Sequence, residues 1–281
     1  MMTTTTILSG LCFPEGPRWH QNALWFSDMH AKRVVRLTAD GHEETIIETP
    51  NSPSGLGWLP NGDLLIVSME DMKILRWDDK TVSTHADLAG LASFHCNDMV
   101  VDKDGRAYVG NFGFDLHSGE SPQAAEIICV DPSGKARVVA TEMEFPNGSV
   151  ISHDGTTLIV AETWGGRLTA FDIDHNGGLS NRRIWAKLLD GAVPDGICLD
   201  ENGGIWSASP STNECIRQIE GGEVTHRVLL DQGAFACMLG GETGDILFIL
   251  TAASSDPRTC REARSGRIEK TSAPYPRAGL P

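Results

Sequence analysis

The sequence predicts an all-β protein, a six-bladed β-propeller, on two observations. One short phrase recurs six times along the chain, and its copies begin 39 to 50 residues apart. In five of the copies a glycine stands eight positions after the first residue. A period of roughly 40–50 residues, with three or four strands per repeat, is typical of a propeller blade. A β-sandwich is the alternative, but its turns recur every ~8–12 residues, which does not explain the longer repeat.

Each copy indicates a strand, a hairpin and a second strand. Asn or Asp precedes the glycine in four copies, as in Asn61-Gly62 and Asp104-Gly105, and such pairs favour the positive φ of a tight hairpin. The second strands, among them LLIVS and ILFIL, contain the β-branched and aliphatic residues of a buried sheet. A third strand usually follows. No segment has a long 3.6-residue period, so we expect little helix.

The two ends of the repeat array predict how the ring closes. We expect the N-terminal segment TTTTILSG to pair into the last blade, because closure removes the exposed sheet edges that invite aggregation. The repeats cover nearly the whole chain, which predicts a single domain over residues 1–281 with a central channel.

Composition limits the classes of partner. The chain carries 23 Lys and Arg against 38 Asp and Glu, a formal net charge of −15. Such a surface repels nucleic-acid phosphates and anionic membranes. No stretch approaches the ~20 apolar residues of a membrane span, and the start lacks the features of a signal peptide. We expect a cytoplasmic protein without nucleic-acid or membrane partners, whose oligomeric state the sequence leaves open.

The first residue of each copy is the informative one, because repeats that share a backbone differ where they carry function. Equivalent positions on successive blades form a ring around the axis, so these side chains can converge. Four of the six carry amide or carboxylate oxygens. The six residues are Glu15, Ser54, Asn97, Asn147, Asp195 and Ala236.

A ring of oxygen donors suits a hard cation. Ca²⁺, Mg²⁺ or Mn²⁺ is expected, and Zn²⁺ is a further candidate. The alternative is that Asn147-Gly148 and Asp195-Gly196 are ordinary turn dipeptides. Glu15 stands at the equivalent position of its own copy, and glutamate is not typical of turns. This favours a metal-binding site over a set of turns.

The same motifs carry a resemblance to a known family. FPEGPRW, HCNDMVVDKDGRAYVGN, FPNGSV and PDGICLD resemble, in order and spacing, the motifs of the senescence marker protein 30/gluconolactonase/luciferin-regenerating-enzyme family, over nearly the whole chain. Members of that family are six-bladed propellers with one divalent metal ion in the channel, and the characterised enzymes hydrolyse sugar lactones and related esters. The resemblance implies a metal-dependent lactonase that acts on a small, sugar-type lactone.

The resemblance also implies roles for the residues that match the motifs. Glu15, Asn147 and Asp195 are the expected metal ligands, and Asn97 is expected close to metal or substrate. Asp195 is the expected catalytic residue, because it can accept a proton from the attacking water while it lies near the ion.

Two positions depart from the family pattern. His95 stands two residues before the ND motif, where an arginine is common, and Phe114-Asp115 replaces an acidic pair. His95 and Asp115 are the candidate substrate-binding residues at these positions, and the identity of the lactone stays open.

Two other functions stay open as well. The same metal site could serve an organophosphate or aryl-ester hydrolase, and a propeller can be a rigid binding platform whose metal is structural. The sequence contains no GxSxG, no HExxH and no phosphate-binding glycine loop before a helix. The absence of these motifs argues against a serine hydrolase, a zincin and a nucleotide enzyme.

Overall fold

The computed structural model describes residues 2–281 as six four-stranded antiparallel sheets, the blades of a propeller. In five sheets the strands follow one another in chain order, and the sixth takes its outer strand from the N-terminus. The predicted six-bladed, all-β propeller is confirmed. The first residue of the predicted domain, residues 1–281, lies outside the described residues.

The strand bounds follow the chain from blade to blade. Strand β1 (Thr5–Leu11) precedes blade 1, which consists of β2 (Pro14–His20), β3 (Ala23–Asp28), β4 (Arg33–Thr38) and β5 (Glu43–Glu48). Blade 2 consists of β6 (Pro53–Trp58), β7 (Leu64–Ser68), β8 (Lys73–Trp77) and β9 (Val82–Asp87). Blade 3 consists of β10 (Cys96–Val101), β11 (Ala107–Asn111), β12 (Ala125–Val130) and β13 (Ala136–Met143).

The second half of the molecule repeats this order. Blade 4 consists of β14 (Pro146–Ile151), β15 (Thr157–Glu162), β16 (Arg167–Ile173) and β17 (Leu179–Lys187). Blade 5 consists of β18 (Ile197–Leu199), β19 (Ile205–Ser209), β20 (Glu214–Gln218) and β21 (Val224–Leu229). Blade 6 consists of β22 (Gly233–Gly240), β23 (Ile246–Ala252) and β24 (Gly266–Ser272), with helix α1 (Pro257–Ala263) between the last two strands.

The N-terminal strand closes the ring as predicted. β1 pairs antiparallel with β24, with Thr5 opposite Lys270 and Leu11 opposite Gly266. The last sheet therefore has the order β1-β24-β23-β22 and gains its fourth strand from the other end of the chain.

The hairpins lie between the first and second strands of the blades. The five glycines of the repeat have φ between +72° and +94°; they are Gly62, Gly105, Gly155, Gly203 and Gly244. The copy without this glycine makes the same turn with Gln21 and Asn22, at φ of 48° and 57°. The hairpin prediction is confirmed, and Asn22 tolerates the left-handed conformation where glycine is missing.

The first strands of neighbouring blades contact one another around the central axis. Here the glycine that follows the first residue of a copy lets two backbones approach. A Cβ on Gly148 would lie 2.6 Å from the Ile197 nitrogen, and one on Gly196 would lie 2.7 Å from the Ala236 Cα. Asn147-Gly148 thus lies within β14, and Asp195-Gly196 directly precedes β18, so the turn-dipeptide alternative is wrong.

Apolar side chains fill the space between neighbouring sheets, where Phe26, Leu65 and Trp206 are fully buried. All seven cysteines are free and buried. The expected low helix content is confirmed, although α1 was not predicted; Asp256 caps it by accepting the Thr259 N–H at 2.8 Å. None of the helices within residues 2–281 has the length and apolar character that crossing a bilayer requires.

Candidate active site

A cavity of about 380 Å³ opens at one mouth of the channel, where the first strands of the blades begin. Its floor is formed by residues that begin these strands, and its walls by the loops around them. The 3₁₀ turn Met29–Ala31 and the start of α1 at Pro257 also contribute to the wall.

Four of the predicted oxygen donors converge on this cavity. Glu15, Asn97, Asn147 and Asp195 come from four different blades, and all four line it. Each is buried, with 9%, 6%, 7% and 8% of its surface exposed. The prediction that equivalent positions on separate blades form one cluster is confirmed for these four residues.

The two carboxylates share an environment that disfavours their charges. Burial raises the pKa of Glu15 from 4.5 to about 8, against the opposing hydrogen bond from the Gly16 N–H. Burial also raises the pKa of Asp195 well above its ordinary value, and the charge of Glu15 raises it further. Two buried carboxylates without a cation are unfavourable. The site therefore favours a bound cation or proton.

A chain of hydrogen bonds fixes the amide of Asn147. Its nitrogen donates to Thr163 Oγ1 at 3.2 Å, and the Thr163 hydroxyl donates to the Pro194 carbonyl at 2.8 Å. Because Pro194 directly precedes Asp195, this chain ties the wall of blade 4 to the start of blade 5. The Asn97 amide is held more loosely, by a 3.5 Å contact from its nitrogen to the Pro146 carbonyl.

A buried ion pair lies beside this floor. Arg18 Nη2 is 2.6 Å from Asp98 Oδ1, and Arg18 Nε donates to the Leu56 carbonyl at 2.8 Å. The Asp98 charge raises the pKa of Glu15 and the Arg18 charge lowers it. This pair links the first strands of blades 1, 2 and 3.

The two candidate substrate-binding residues occupy different places. His95 lines the cavity, and its ring stacks on Phe94 with 4.1 Å between centroids. Burial lowers its pKa, so the ring is neutral at pH 7. The Asp115 side chain is outside the set of residues that line the cavity; its Oδ1 accepts the N–H groups of His117 and Ser118 at 3.1 and 3.0 Å. A direct substrate contact by Asp115 stays a prediction.

Sequence reasoning missed most of the wall. Phe13, Phe112, Phe145 and Phe235 line the cavity. Phe112 follows β11 and Phe235 lies within β22. Phe13 and Phe145 each stand two residues before the first residue of a copy, and this shared offset was the available signal for them. The sequence did mark Asp98 as unusual, because four other copies have glycine directly after their first residue and this copy has Asp98 there.

The donor set fits a divalent cation that prefers oxygen. Within residues 2–281 no three His, Cys, Asp or Glu side chains form a metal site by themselves. The candidate site instead combines two carboxylates with two amide side chains. That mixture, with vacant positions for water, is suited to Ca²⁺, Mg²⁺ or Mn²⁺.

Fold and site together define a six-bladed propeller with a pocket lined by carboxylates and amides at the mouth of its channel. The chain belongs to the SMP-30/gluconolactonase/LRE-like family, because residues 13–253 match the family described as SMP-30/Gluconolactonase/LRE-like region. The resemblance carried by the sequence motifs is confirmed.

Individual relatives are distant but match over most of their length. Regucalcin of Gallus gallus is 26% identical over 284 residues, covering 94% of each chain. Pentonolactonase XacC of Haloferax volcanii is 25% identical over 259 residues, covering 89% of this chain and 86% of the relative. The solved structure of regucalcin, a calcium-binding protein from Agrobacterium tumefaciens, has a TM-score of 0.81 at 19% identity, covering 99% of this chain and 97% of that chain. This last likeness shows the fold alone.

Proposed function

We propose that this chain is a metal-dependent hydrolase that opens a small-molecule lactone by attack of water on its carbonyl carbon. The observation that carries the proposal is the convergence of Glu15, Asn97, Asn147 and Asp195 on one cavity, with both carboxyl pKa values raised by burial. Family membership and a relative named pentonolactonase support the reaction class.

Glu15, Asn147 and Asp195 would hold the ion. A divalent ion bound by them would polarise the lactone carbonyl and offset the negative charge that develops on its oxygen. Ca²⁺, Mg²⁺ and Mn²⁺ fit the donors best, and the structure of a relative described as calcium-binding favours Ca²⁺.

The residues of the chain would perform the proton transfer and the positioning. Asp195 accepts the proton of the attacking water, and the ring oxygen takes a proton when the acyl C–O bond breaks, which gives a hydroxy acid. A general base is most effective when its pKa lies near the pH at which the enzyme operates, and the raised pKa of Asp195 suits this role. The amide of Asn97 and the neutral ring of His95 lie where they can orient the lactone.

The test compares metal-loaded and chelated protein on a panel of lactones. Chelation should abolish hydrolysis, and Ca²⁺, Mg²⁺, Mn²⁺ or Zn²⁺ should restore it. Asp195→Asn should lower kcat/KM by about 10²–10⁴-fold. In the metal-free state the same variant should melt at a higher temperature than wild type, because one buried charge beside Glu15 is removed. Glu223→Gln, at an exposed carboxylate on blade 5, is the matched control.

Two other results would replace this proposal. A platform would bind the ion and hydrolyse none of the compounds, while an organophosphate or aryl-ester hydrolase would hydrolyse paraoxon-type or aryl esters faster than lactones. Hydrolysis that survives exhaustive chelation would contradict the metal dependence.

A further inference from the structure

One wall of the cavity is a cluster of aromatic rings from blades 3 and 4. Phe112 packs on Phe145 with 4.5 Å between ring centroids, and Phe145 lies 6.5 Å from Trp164. Phe114 supports the cluster from behind, 6.0 Å from Trp164. Trp164 is 52% exposed, so this wall extends from the buried floor to the solvent.

The facing wall is also apolar. Phe13 packs edge-on against Phe235 at 4.8 Å and stacks on the His30 ring at 5.2 Å. Met29 and Met69 complete this side of the cavity. A ligand seated above the carboxylates would therefore contact aromatic and thioether groups on both sides.

Three polar side chains of the walls already make hydrogen bonds within the protein. Glu70 accepts both the N–H and the hydroxyl of Ser52, at 2.8 and 2.6 Å. His30 contacts the Ser255 carbonyl at 3.2 Å, and Lys32 donates to the Pro50 carbonyl at 2.9 Å. Each hydroxyl of a polyol would need a replacement for its water partners, and an unpaired buried hydroxyl is costly.

The backbone of Phe145 shows that its ring is kept at a cost. Its φ is +63°, in the left-handed region that bulky residues avoid. Asparagine would adopt this conformation more easily. The bonds from the Thr163 N–H to the Phe145 carbonyl and from the Trp164 N–H to the Glu144 carbonyl, at 3.1 and 3.3 Å, hold this segment against the wall.

We propose that the cavity selects a lactone with an apolar alkyl or aromatic substituent over a polyhydroxylated sugar lactone. This inference rests on the proposed hydrolase function and specifies its substrate class. The carboxylates and asparagines of the floor take the ester group, and the aromatic walls take the substituent. His95 and, at the mouth, the exposed His117 and Arg261 are placed to meet a polar end of the substrate.

The experiment uses three lactones with the same ring size: δ-decalactone, δ-valerolactone and glucono-δ-lactone, with each rate divided by its uncatalysed rate. The metal-loaded protein should show at least about tenfold higher kcat/KM for δ-decalactone than for glucono-δ-lactone. Phe145→Asn should remove most of this preference, because it should lower kcat/KM for δ-decalactone far more than kcat/KM for glucono-δ-lactone. Trp164→Ser, at a half-exposed position, repeats the test without a change in the buried wall.

Binding of the matching lactams, which resist hydrolysis, separates this inference from the hydrolase itself. The lactam analogue of δ-decalactone could bind more tightly than gluconolactam while no lactone is hydrolysed. This result would contradict the proposed hydrolase function and still support the apolar selectivity of the cavity. A preference for glucono-δ-lactone or for gluconolactam would overturn the inference, and hydrolysis of the sugar lactone would still support the hydrolase.

Discussion

Glu162 and the two site carboxylates show how differently this protein treats a buried acid. Burial acts to raise the pKa of Glu162, but hydrogen bonds from Arg167, Thr169 and the Glu144 N–H outweigh it, and the pKa lies below its ordinary value. Glu15 and Asp195 have no comparable set of donors among the described residues, and their pKa values are raised. An acid that the protein has fully paired is structural, and an acid with few hydrogen-bond donors on the wall of a cavity is a candidate for chemistry.

The Glu162 network predicts a dependence of stability on pH. Because its folded pKa is lowered, its contribution is present above the ordinary value of 4.5 and is lost as pH falls through the folded pKa. Glu162→Gln should lower the free energy of unfolding by roughly 3 kcal/mol at neutral pH. The difference from wild type should shrink in acid. Denaturant unfolding across the pH range measures both effects.

Glu144→Gln is the control for that measurement. Its carboxylate pairs with the same Arg167 at 3.1 Å but is half exposed, so it should contribute at most about 1 kcal/mol. Equal effects of the two substitutions, or a difference at Glu162 that persists in acid, would contradict the network as described.

At the residue scale the sequence predicted the floor of the site and missed its walls. Glu15, Asn97, Asn147 and Asp195 occupy one position of a repeat, so knowledge of the blade was enough to bring them together. Phe145 stands two residues before Asn147, as Phe13 does before Glu15, but the left-handed φ that sets the position of its ring depends on tertiary contacts.

At the scale of elements, the start of the first strand has two tasks in blades 1, 4 and 5. The first residue of the copy lines the cavity, and the glycine that follows it packs against the neighbouring blade. Gly148 fits against the backbone of Asp195 and Ile197, where a Cβ would lie 2.7 Å from the Asp195 carbonyl oxygen. The Gly148 N–H also donates to that carbonyl at 3.2 Å. Spacing between blades and placement of Asp195 are therefore coupled.

Gly148→Ala tests this coupling. The added methyl group would push β14 and the start of blade 5 apart, so we expect a loss of stability of about 1–3 kcal/mol and a loss of hydrolysis larger than the unfolded fraction explains. Thermal melting and kcat/KM are measured on the same preparation.

Gly90→Ala is the matched glycine control. A Cβ there would meet no atom within 4 Å, and its φ is not in the left-handed region, so stability should change by less than about 0.5 kcal/mol. A Gly148→Ala protein with wild-type stability and activity would show that the blades tolerate a wider spacing.

Hairpins and buried strands were predictable because each depends on local chemistry, the Asn-Gly or Asp-Gly turn and the apolar second strand. Helix α1 was not. Its seven residues are too few for a visible helical period, and the local signals for its start are the Asp256 cap and Pro257 at the first helical position.

At the scale of the whole molecule, closure depends on one outer strand. Each of the other blades takes four consecutive strands, while blade 6 has three and is completed by β1. Leu11 at the end of β1 is 1% exposed, and Thr4 Oγ1 donates to Glu269 at 2.6 Å. Without β1 the hydrogen-bonding edge of β24 is exposed, and an unpaired edge invites association with other chains. The sequence could predict this pairing because the last repeat lacks a fourth strand, and the N-terminal segment is the strand left over.

Removal of residues 2–11 should therefore destabilise the closed propeller and expose the edge of β24. Several backbone hydrogen bonds of about 1 kcal/mol each and the burial of Leu11 are lost, which predicts a decrease in Tm of roughly 10–20 °C. The truncated protein should also form dimers or larger species in sedimentation experiments. Removal of residues 2–3 alone, which leaves Thr4 and β1 in place, should cause no association and should lower the Tm much less, since it removes only the packing of the partly buried Met2. A peptide of residues 3–11 added to the truncated protein should raise its Tm by occupying the β24 edge. A truncated protein that melts with wild type would mean that blade 6 holds the ring closed with three strands.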